Sequence, residues 1–340
     1  MNQNDFIDRL NGALYGMFIG DALAMPVHWY YDTNALKRDY GIVENYVQPR
    51  NPHPDSILYR SVYTARSARA DILHEQKCFW GQKNIHYHQF LQAGENTLNL
   101  KLAKELLNLL LENGSYSAEN WLQRLVEYMT TPGCHNDTYV EEYLRHFFLR
   151  YGKGVELKKC GRTDEKHIGG FTQMLPVLLV LARDPELAID TALNHLPLTH
   201  GGEKVQYWGS ILARLQLALV YGDSLHEAMT SSTDTLPAEL KEDRLRALAN
   251  YPDHIVVGRH FSSACYVDQA LPATLYLALK YQNQPEQGLI ANTMCGGDNA
   301  GRGAVLGALL GAQNGMDCWP ARWVEGLLDP PPLLKFSQLL

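Results

Sequence analysis

Six cysteines, Cys78, Cys134, Cys160, Cys265, Cys295 and Cys318, are scattered through 340 residues. No two of them form a C-x-x-C pair, which excludes a disulfide scaffold and gives no zinc-finger spacing. A basic excess is also missing. Lys and Arg number 30 against 37 Asp and Glu, for a formal net charge of -7, whereas a general nucleic-acid binder normally carries a basic surplus. No long hydrophobic run is present either. The most apolar stretch, 174–182, contains Pro176 and is about half of what a membrane span needs. The opening residues 1–8 are polar and acidic, unlike a basic leader followed by an apolar core. A soluble protein of a reducing, cytoplasmic compartment is expected, without nucleic-acid or membrane partners. Sustained alternation of β-branched residues is absent as well, so strands should be few.

The chain instead shows helical periodicity. Leu10, Leu14, Phe18 and Ile19 share one stripe of a helix over about 5–23, and Leu98, Leu102, Leu106 and Leu109 or Leu110 share another that stops near Asn113-Gly114. Further helices are expected at about 117–129, 138–150, 171–182, 185–195, 203–221, 237–249, 267–281, 285–294 and 302–313. Asp184-Pro185 and Gln284-Pro285 place proline at a first helical turn. Three irregular stretches, 30–90, 153–170 and 251–266, interrupt the helices; ordered segments of this length often carry function. Length alone allows two domains. The absence of repeats or a compositional break favours one all-α multi-helix domain over residues 1–340.

Two glycine ladders stand out. Gly12, Gly16 and Gly20 near the start are matched late by Gly303, Gly307 and Gly311. A glycine costs about 1 kcal/mol of helix propensity relative to alanine, so two such ridges predict close helix packing that compensates. Each ladder adjoins polar residues: Asp21 in one case, Asp298 and Asn299 in the other. Asp298 or Asn299 reads first as an N-cap and, as the alternative, as an oxygen donor to a cation or ribose. Arg302 would neutralise Asp298 or hold an anionic group such as phosphate. Glu95-Asn96-Thr97, His135-Asn136-Asp137-Thr138 and Thr199-His200-Gly201-Gly202-Glu203 read as three more polar helix entrances. Their convergence on one anion- or metal-binding cleft is a hypothesis that folding must decide.

Read in order, these segments resemble the ADP-ribosylglycohydrolase superfamily, which includes the J1 crystallins. Residues 12–26, GALYGMFIGDALAMP, look like its G-x-x-x-G-x-x-x-G-D-A-x-G-x-P opening; Leu198-Thr199-His200 is similar to its central L-T-H; Gly296-Gly297-Asp298 and the late glycine ladder resemble its closing segment, followed by Pro320-Ala321-Arg322-Trp323. The match runs from about Gly12 to Leu328. It implies an all-α fold with a cleft holding two divalent ions, usually magnesium, where the glycosidic bond of ADP-ribose is cleaved. Oxygen-rich ligand sets suit that hard cation.

The metal motifs depart from that pattern. Gly94-Glu95-Asn96-Thr97 stands for T-D-D-T, Asp298-Asn299-Ala300-Gly301 for D-T-D-T, and His28 for an acidic residue. Two carboxylates and both hydroxyl ligands are lost, leaving too little negative charge for two dications. One magnesium ion on Glu95 and Asp298, aided by Asn96 or Asn299, and a metal-free site with Arg302 in the ion's place both fit. The expected activity is hydrolysis of an N- or O-glycosidic bond of ADP-ribose or a related ribosyl compound, on a small-molecule or ADP-ribosylated substrate. Glu95 and Asp298 are the expected catalytic residues; Asp21, His28, His135, Asp137, His200 and Arg302 the expected substrate contacts. The alternative is a non-catalytic nucleotide binder or a structural, crystallin-like member.

Overall fold

Apolar residues recurring at 3.6-residue spacing need a common interior, and the computed structural model, which describes residues 2–231 and 236–340, supplies one. In chain order the helices are α1 (Gln3–Ala24), α2 (Thr33–Tyr40), α3 (Leu98–Asn113), α4 (Ala118–Thr130), α5 (Glu142–Gly152) and α6 (Gly169–Val180). They continue with α7 (Pro185–His195), α8 (Pro197–His200), α9 (Glu203–Val220), α10 (Leu225–Ser231) and α11 (Glu242–Ala247). The last are α12 (Asp253–Ile255), α13 (Val267–Lys280), α14 (Pro285–Met294), α15 (Asn299–Asn314) and α16 (Ala321–Val324). Extended pairing among the described residues is confined to two isolated bridges, Arg162 with His200 and His167 with Tyr266. One apolar cluster reaches from Phe6 to Leu339. Among the described residues no helix is long and apolar enough to cross a membrane.

The two glycine ladders meet at the centre. α1 and α15 run antiparallel, with Gly12 against Gly311, Gly16 against Gly307 and Gly20 against Gly303. A Cβ placed on any of these would fall well inside contact distance of the facing carbonyl oxygen. Both helices are buried on every side over most of their length, so packing on neighbouring helices outweighs the poor propensity of glycine. The pair also sets the site, because Asp21 near the end of α1 and Asp298 at the start of α15 are carried to the same end of this rigid core.

Several boundaries differ from expectation, each for a local reason. The helix expected over 138–150 begins only at Glu142. Thr138 and Tyr139 both send their backbone N–H to the carbonyl of Tyr87, which keeps both out of a helical ladder. The segment expected as one helix over 237–249 breaks into short turns around α11. α2 lies inside the stretch expected to be irregular; Asp32 caps it by accepting from the N–H groups of Asn34 and Ala35. α15 starts at Asn299, three residues earlier than expected, with Asp298 as its N-cap accepting from Gly301 N–H at 3.1 Å.

Candidate functional site

Gly296 and Gly297 occupy left-handed backbone at φ 64° and 63°, a region that costs other residues strain. The turn lets three segments touch: Gly297 N–H donates to Tyr30 O at 2.6 Å, Trp29 N–H donates to Gly297 O at 2.8 Å, and Asp298 N–H donates to Ser263 O at 2.8 Å. Trp29 itself has φ 62°, an uncommon conformation for a bulky residue. It lays the indole on the His28 ring, with centroids 3.8 Å apart.

From here a buried chain of hydrogen bonds runs inward. His28 Nε2 lies 3.0 Å from Asp298 Oδ1, His28 Nδ1 lies 2.9 Å from His88 Nε2, and His88 Nδ1 is hydrogen-bonded to Asp137 Oδ1. All four side chains are buried. Burial pushes His28 down to about 4, against the pull of Asp298. Burial also works to raise Asp298 and Asp137, but each ends below the ordinary carboxylate value. For Asp298 the His28 hydrogen bond and charge prevail, with Arg302 and the Gly301 N–H adding to them; for Asp137 the charge and hydrogen bond of His88 prevail. His53 and His86 complete the cluster, with His53 Nε2 3.0 Å from His28 O and His86 Nε2 2.9 Å from Pro26 O.

A cavity of about 300 Å³ is lined by Trp29, Tyr31, Tyr87, Tyr139, Glu141 and Cys265, with Arg60 and His167 at its wall; Asp298 is not part of the lining, but its charge acts on two residues that are, Glu141 and Cys265. Trp29 stands edge-on to Tyr87 and Tyr139, with centroids 4.7 and 5.2 Å away. Glu141, the residue preceding α5, accepts from Asn99 Nδ2 at 2.7 Å. Its burial, followed by the negative charge of Asp298, raises it to about 8. Glu141 is therefore a neutral acid at neutral pH beside an ionised Asp298, the separation that lets two carboxyl groups take opposite roles. His167 is ion-paired with Glu165. Burial works against its protonation, but hydrogen bonds to Cys265 and Glu165 prevail and raise it to about 11, so it stands at the cavity wall as a cation.

The other expected site residues have different surroundings. Glu95 lines a second cavity of about 470 Å³ together with Asn96, Lys101, Lys104 and His135. One of its oxygens is paired with Lys101 Nζ at 2.7 Å, and the other accepts from Gln92 N–H at 2.8 Å. Asp21 accepts from Asn96 Nδ2, Thr97 N–H and Thr97 Oγ1 at 2.9, 2.8 and 2.7 Å. Burial still lifts it to about 6. Arg302 is fully buried and spends its guanidinium on Asn292 Oδ1, Ser263 O and Gly296 O. It braces the glycine turn. His200 is also fully buried, bonded to Thr199 Oγ1 and packed on Tyr143. His135 is buried, and burial holds its ring below the ordinary histidine value. Of the expected entrances, the start of α3 meets Asp21 and the start of α15 meets His28; the His135–Thr138 segment opens no helix and joins the site through Asp137.

The residues that would stand for a two-magnesium cradle do not form one. Glu95 is neutralised by Lys101. Asn96 directs its amide nitrogen to Phe18 O and Asp21, and Asn299 directs its own to Val27 O and Thr293 O. Asp298 is shared between His28 and Gly301 N–H. Ala300 and Gly301 supply no side-chain donor. Among the described residues no three His, Cys, Asp or Glu side chains gather in a group that could hold a metal. A hard dication asks for about six converging oxygens; Asn96 Oδ1 and Asn299 Oδ1 are buried without a hydrogen-bond partner among the described residues, but the carboxylates of Glu95 and Asp298 are already engaged by Lys101 and by His28.

His88, Glu141, His167 and Cys265 were not singled out as site residues from sequence. His88 had a faint signal, the His86-Tyr87-His88 alternation inside an irregular stretch. Nothing in sequence shows the partial burial and the charge of Asp298 that keep Glu141 protonated.

The whole chain is matched by one family model. Residues 2–340 fit that of the ADP-ribosylglycohydrolases. Among solved structures, one titled "ADP-ribosylglycohydrolase-related protein complex" superposes with a TM-score of 0.59 at 20% identity, covering 95% of this chain and 93% of that one. At that identity the likeness establishes the shared fold. No curated protein sequence matches the chain significantly. The chain belongs to the ADP-ribosylglycohydrolase family.

Proposed function

We propose that the protein hydrolyses an N- or O-glycosidic bond of ADP-ribose or a related ribosyl compound in the aromatic cavity that Glu141 lines. The observation that carries this reading is the pair of carboxyl groups displaced in opposite directions, Glu141 up to about 8 and Asp298 below the usual range. Glycoside hydrolysis needs one neutral acid and one carboxylate flanking an oxocarbenium-like carbon. Glu141 gives its proton to the departing oxygen or nitrogen as the bond to the anomeric carbon breaks. Water adds to that carbon and passes a proton to Asp298. Exchange with solvent then returns Glu141 to its acid form and Asp298 to its anion.

The walls fit such a ligand. Trp29, Tyr31, Tyr87 and Tyr139 present aromatic faces and edges for a ribosyl ring or a base, and Arg60 and His167 supply cationic partners for phosphate oxygens. The test is release of free ADP-ribose from N- and O-linked ADP-ribosyl substrates. Glu141→Gln should lower kcat by about 100-fold or more, the scale of a lost general acid, while ADP-ribose affinity measured by calorimetry stays within about threefold. Binding without turnover in the wild type would instead assign the protein to the nucleotide-binding alternative.

A further inference from the structure

The larger cavity, of about 470 Å³, plays no part in the hydrolysis proposed above, and among the described residues it has no lining residue in common with the aromatic one. A cavity of this size holds a small organic molecule, and the charges on its wall say which kind. Lys101 and Lys104 stand one turn apart on α3, so both reach the same stretch of wall. Lys101 Nζ is paired with Glu95 Oε1 at 2.7 Å and donates to Asn136 Oδ1 at 3.1 Å, while Lys104 Nζ is paired with Asp329. The two pairs are held differently. The side chains of Lys101 and Glu95 are 15% and 16% exposed, whereas that of Asp329 is 69% exposed, so Asp329 leaves Lys104 at little cost.

Beside Glu95 the wall carries a polar atom that the protein does not use. Asn96 turns its amide nitrogen to Phe18 O and Asp21, which fixes the amide and leaves Oδ1 as its acceptor. Asn96 is 4% exposed, and Oδ1 has no hydrogen-bond partner among the described residues. A buried acceptor without a partner is costly, and a ligand that brings a donor removes that cost. The Glu95 oxygens accept from Lys101 Nζ and from Gln92 N–H, and each keeps a further lone pair. Two acceptors, Glu95 and Asn96 Oδ1, therefore adjoin two cationic donors, Lys101 and Lys104.

This arrangement rejects a ligand of one sign. An anion alone on the lysines would stand against the Glu95 carboxylate, and a cation alone on Glu95 would stand against Lys101. Either leaves a charge unbalanced in a half-buried place. A molecule with both charges a few atoms apart gives every charge an opposite neighbour. Phe18, Leu100, Tyr128 and Leu328 make part of the remaining wall apolar.

We infer that this cavity binds a free α-amino acid with an apolar side chain. Its carboxylate takes Lys104, with Lys101 beside it, in the place that Asp329 holds; its ammonium donates to Asn96 Oδ1 and Glu95; its side chain lies on the apolar wall. Asp329 is the internal counter-ion that the ligand displaces. The inference goes beyond the hydrolase reading and does not rest on it.

Calorimetric titration of the full chain tests it with L-leucine and two analogues: 3-methylbutylamine, which lacks the carboxylate, and 4-methylpentanoate, which lacks the ammonium. Leucine should bind saturably, and each analogue at least about tenfold more weakly, because a charge on the wall then loses its partner. Lys104→Met should weaken leucine by at least about tenfold for the same reason. Asp329→Asn should tighten it about two- to fivefold, since the exposed competitor for Lys104 is gone. Absence of leucine binding, an analogue that binds as well as leucine, or an affinity that neither substitution changes would overturn the inference. Should Lys104→Met fail to fold, the analogue series on the wild type and Asp329→Asn decide. No ADP-ribosyl substrate enters these titrations, so their failure leaves the hydrolase reading standing, and a chain that releases no ADP-ribose is still judged by them.

Discussion

His28 Nε2 lies 3.0 Å from Asp298 Oδ1, and that same oxygen accepts the Gly301 N–H that begins α15. One carboxylate thus has two separable duties: it caps a core helix, and it presents a negative charge that acts on the wall of the aromatic cavity. The substitutions below pull these duties apart.

Asparagine caps helices about as well as aspartate, whereas alanine loses about 1 kcal/mol. Asp298→Asn should therefore keep the melting temperature nearly unchanged while abolishing ADP-ribose release. Asp298→Ala should lose activity and about 1 kcal/mol of stability, read by urea denaturation. Equal activity in Asp298→Asn and the wild type would remove Asp298 from the chemistry.

Glu141 also makes stability depend on pH. Its folded-state value of about 8 lies above that of an exposed glutamate. Its contribution is fully present below the unfolded value and is lost as pH rises through about 8, because the partly buried acid must then ionise. Glu141→Gln cannot ionise. Thermal melts should show the variant gaining on the wild type between weakly acidic and alkaline pH, with no such gain in acid, where both side chains are neutral.

Glu95 and Lys101 form a partly buried ion pair at the rim of the larger cavity. Such a pair contributes about 1 kcal/mol or less. Glu95→Gln should leave kcat/KM for ADP-ribosyl hydrolysis within about threefold of the wild type, because Glu95 is committed to Lys101 and Gln92. A loss of about 100-fold would return the catalytic role to Glu95.

The glycine ladder is testable by a single methyl group. Gly16→Ala gains about 1 kcal/mol of helix propensity, but its Cβ collides with the backbone of Gly307. Overpacking costs about 1–3 kcal/mol and more where backbone must move, so the net effect should be roughly 2 kcal/mol or more of destabilisation. Gly258→Ala, where an added Cβ meets nothing within 4 Å among the described residues, is the control and should stay within about 0.5 kcal/mol.

What sequence reveals here follows from where the information sits. The ladders of Gly12, Gly16 and Gly20 and of Gly303, Gly307 and Gly311 are spaced by the helix repeat itself, so the central pair and the all-α architecture are legible. His28 and Asp298 are legible as well, since each falls within a segment that resembles a family motif. His88 and Glu141 are not. The first lies in an irregular stretch whose path depends on contacts such as that between Thr138 and Tyr87. The acidity of the second is made by burial and by Asp298, distant in sequence. Arg302 shows the opposite failure: next to Asp298 it reads as an anion-binding residue, yet three polar groups around the Gly296 turn take up its guanidinium.

The most direct test follows ADP-ribose release by the wild type and Glu141→Gln from weakly acidic to alkaline pH, in the presence of chelator. The account predicts wild-type kcat/KM that is level at neutral pH and falls about tenfold per pH unit above about 8. In Glu141→Gln the rate should be low throughout, without that descent. A wild-type profile that rises with pH, or a descent that survives in Glu141→Gln, would contradict the assignment of Glu141 as the acid and with it the two-carboxylate mechanism.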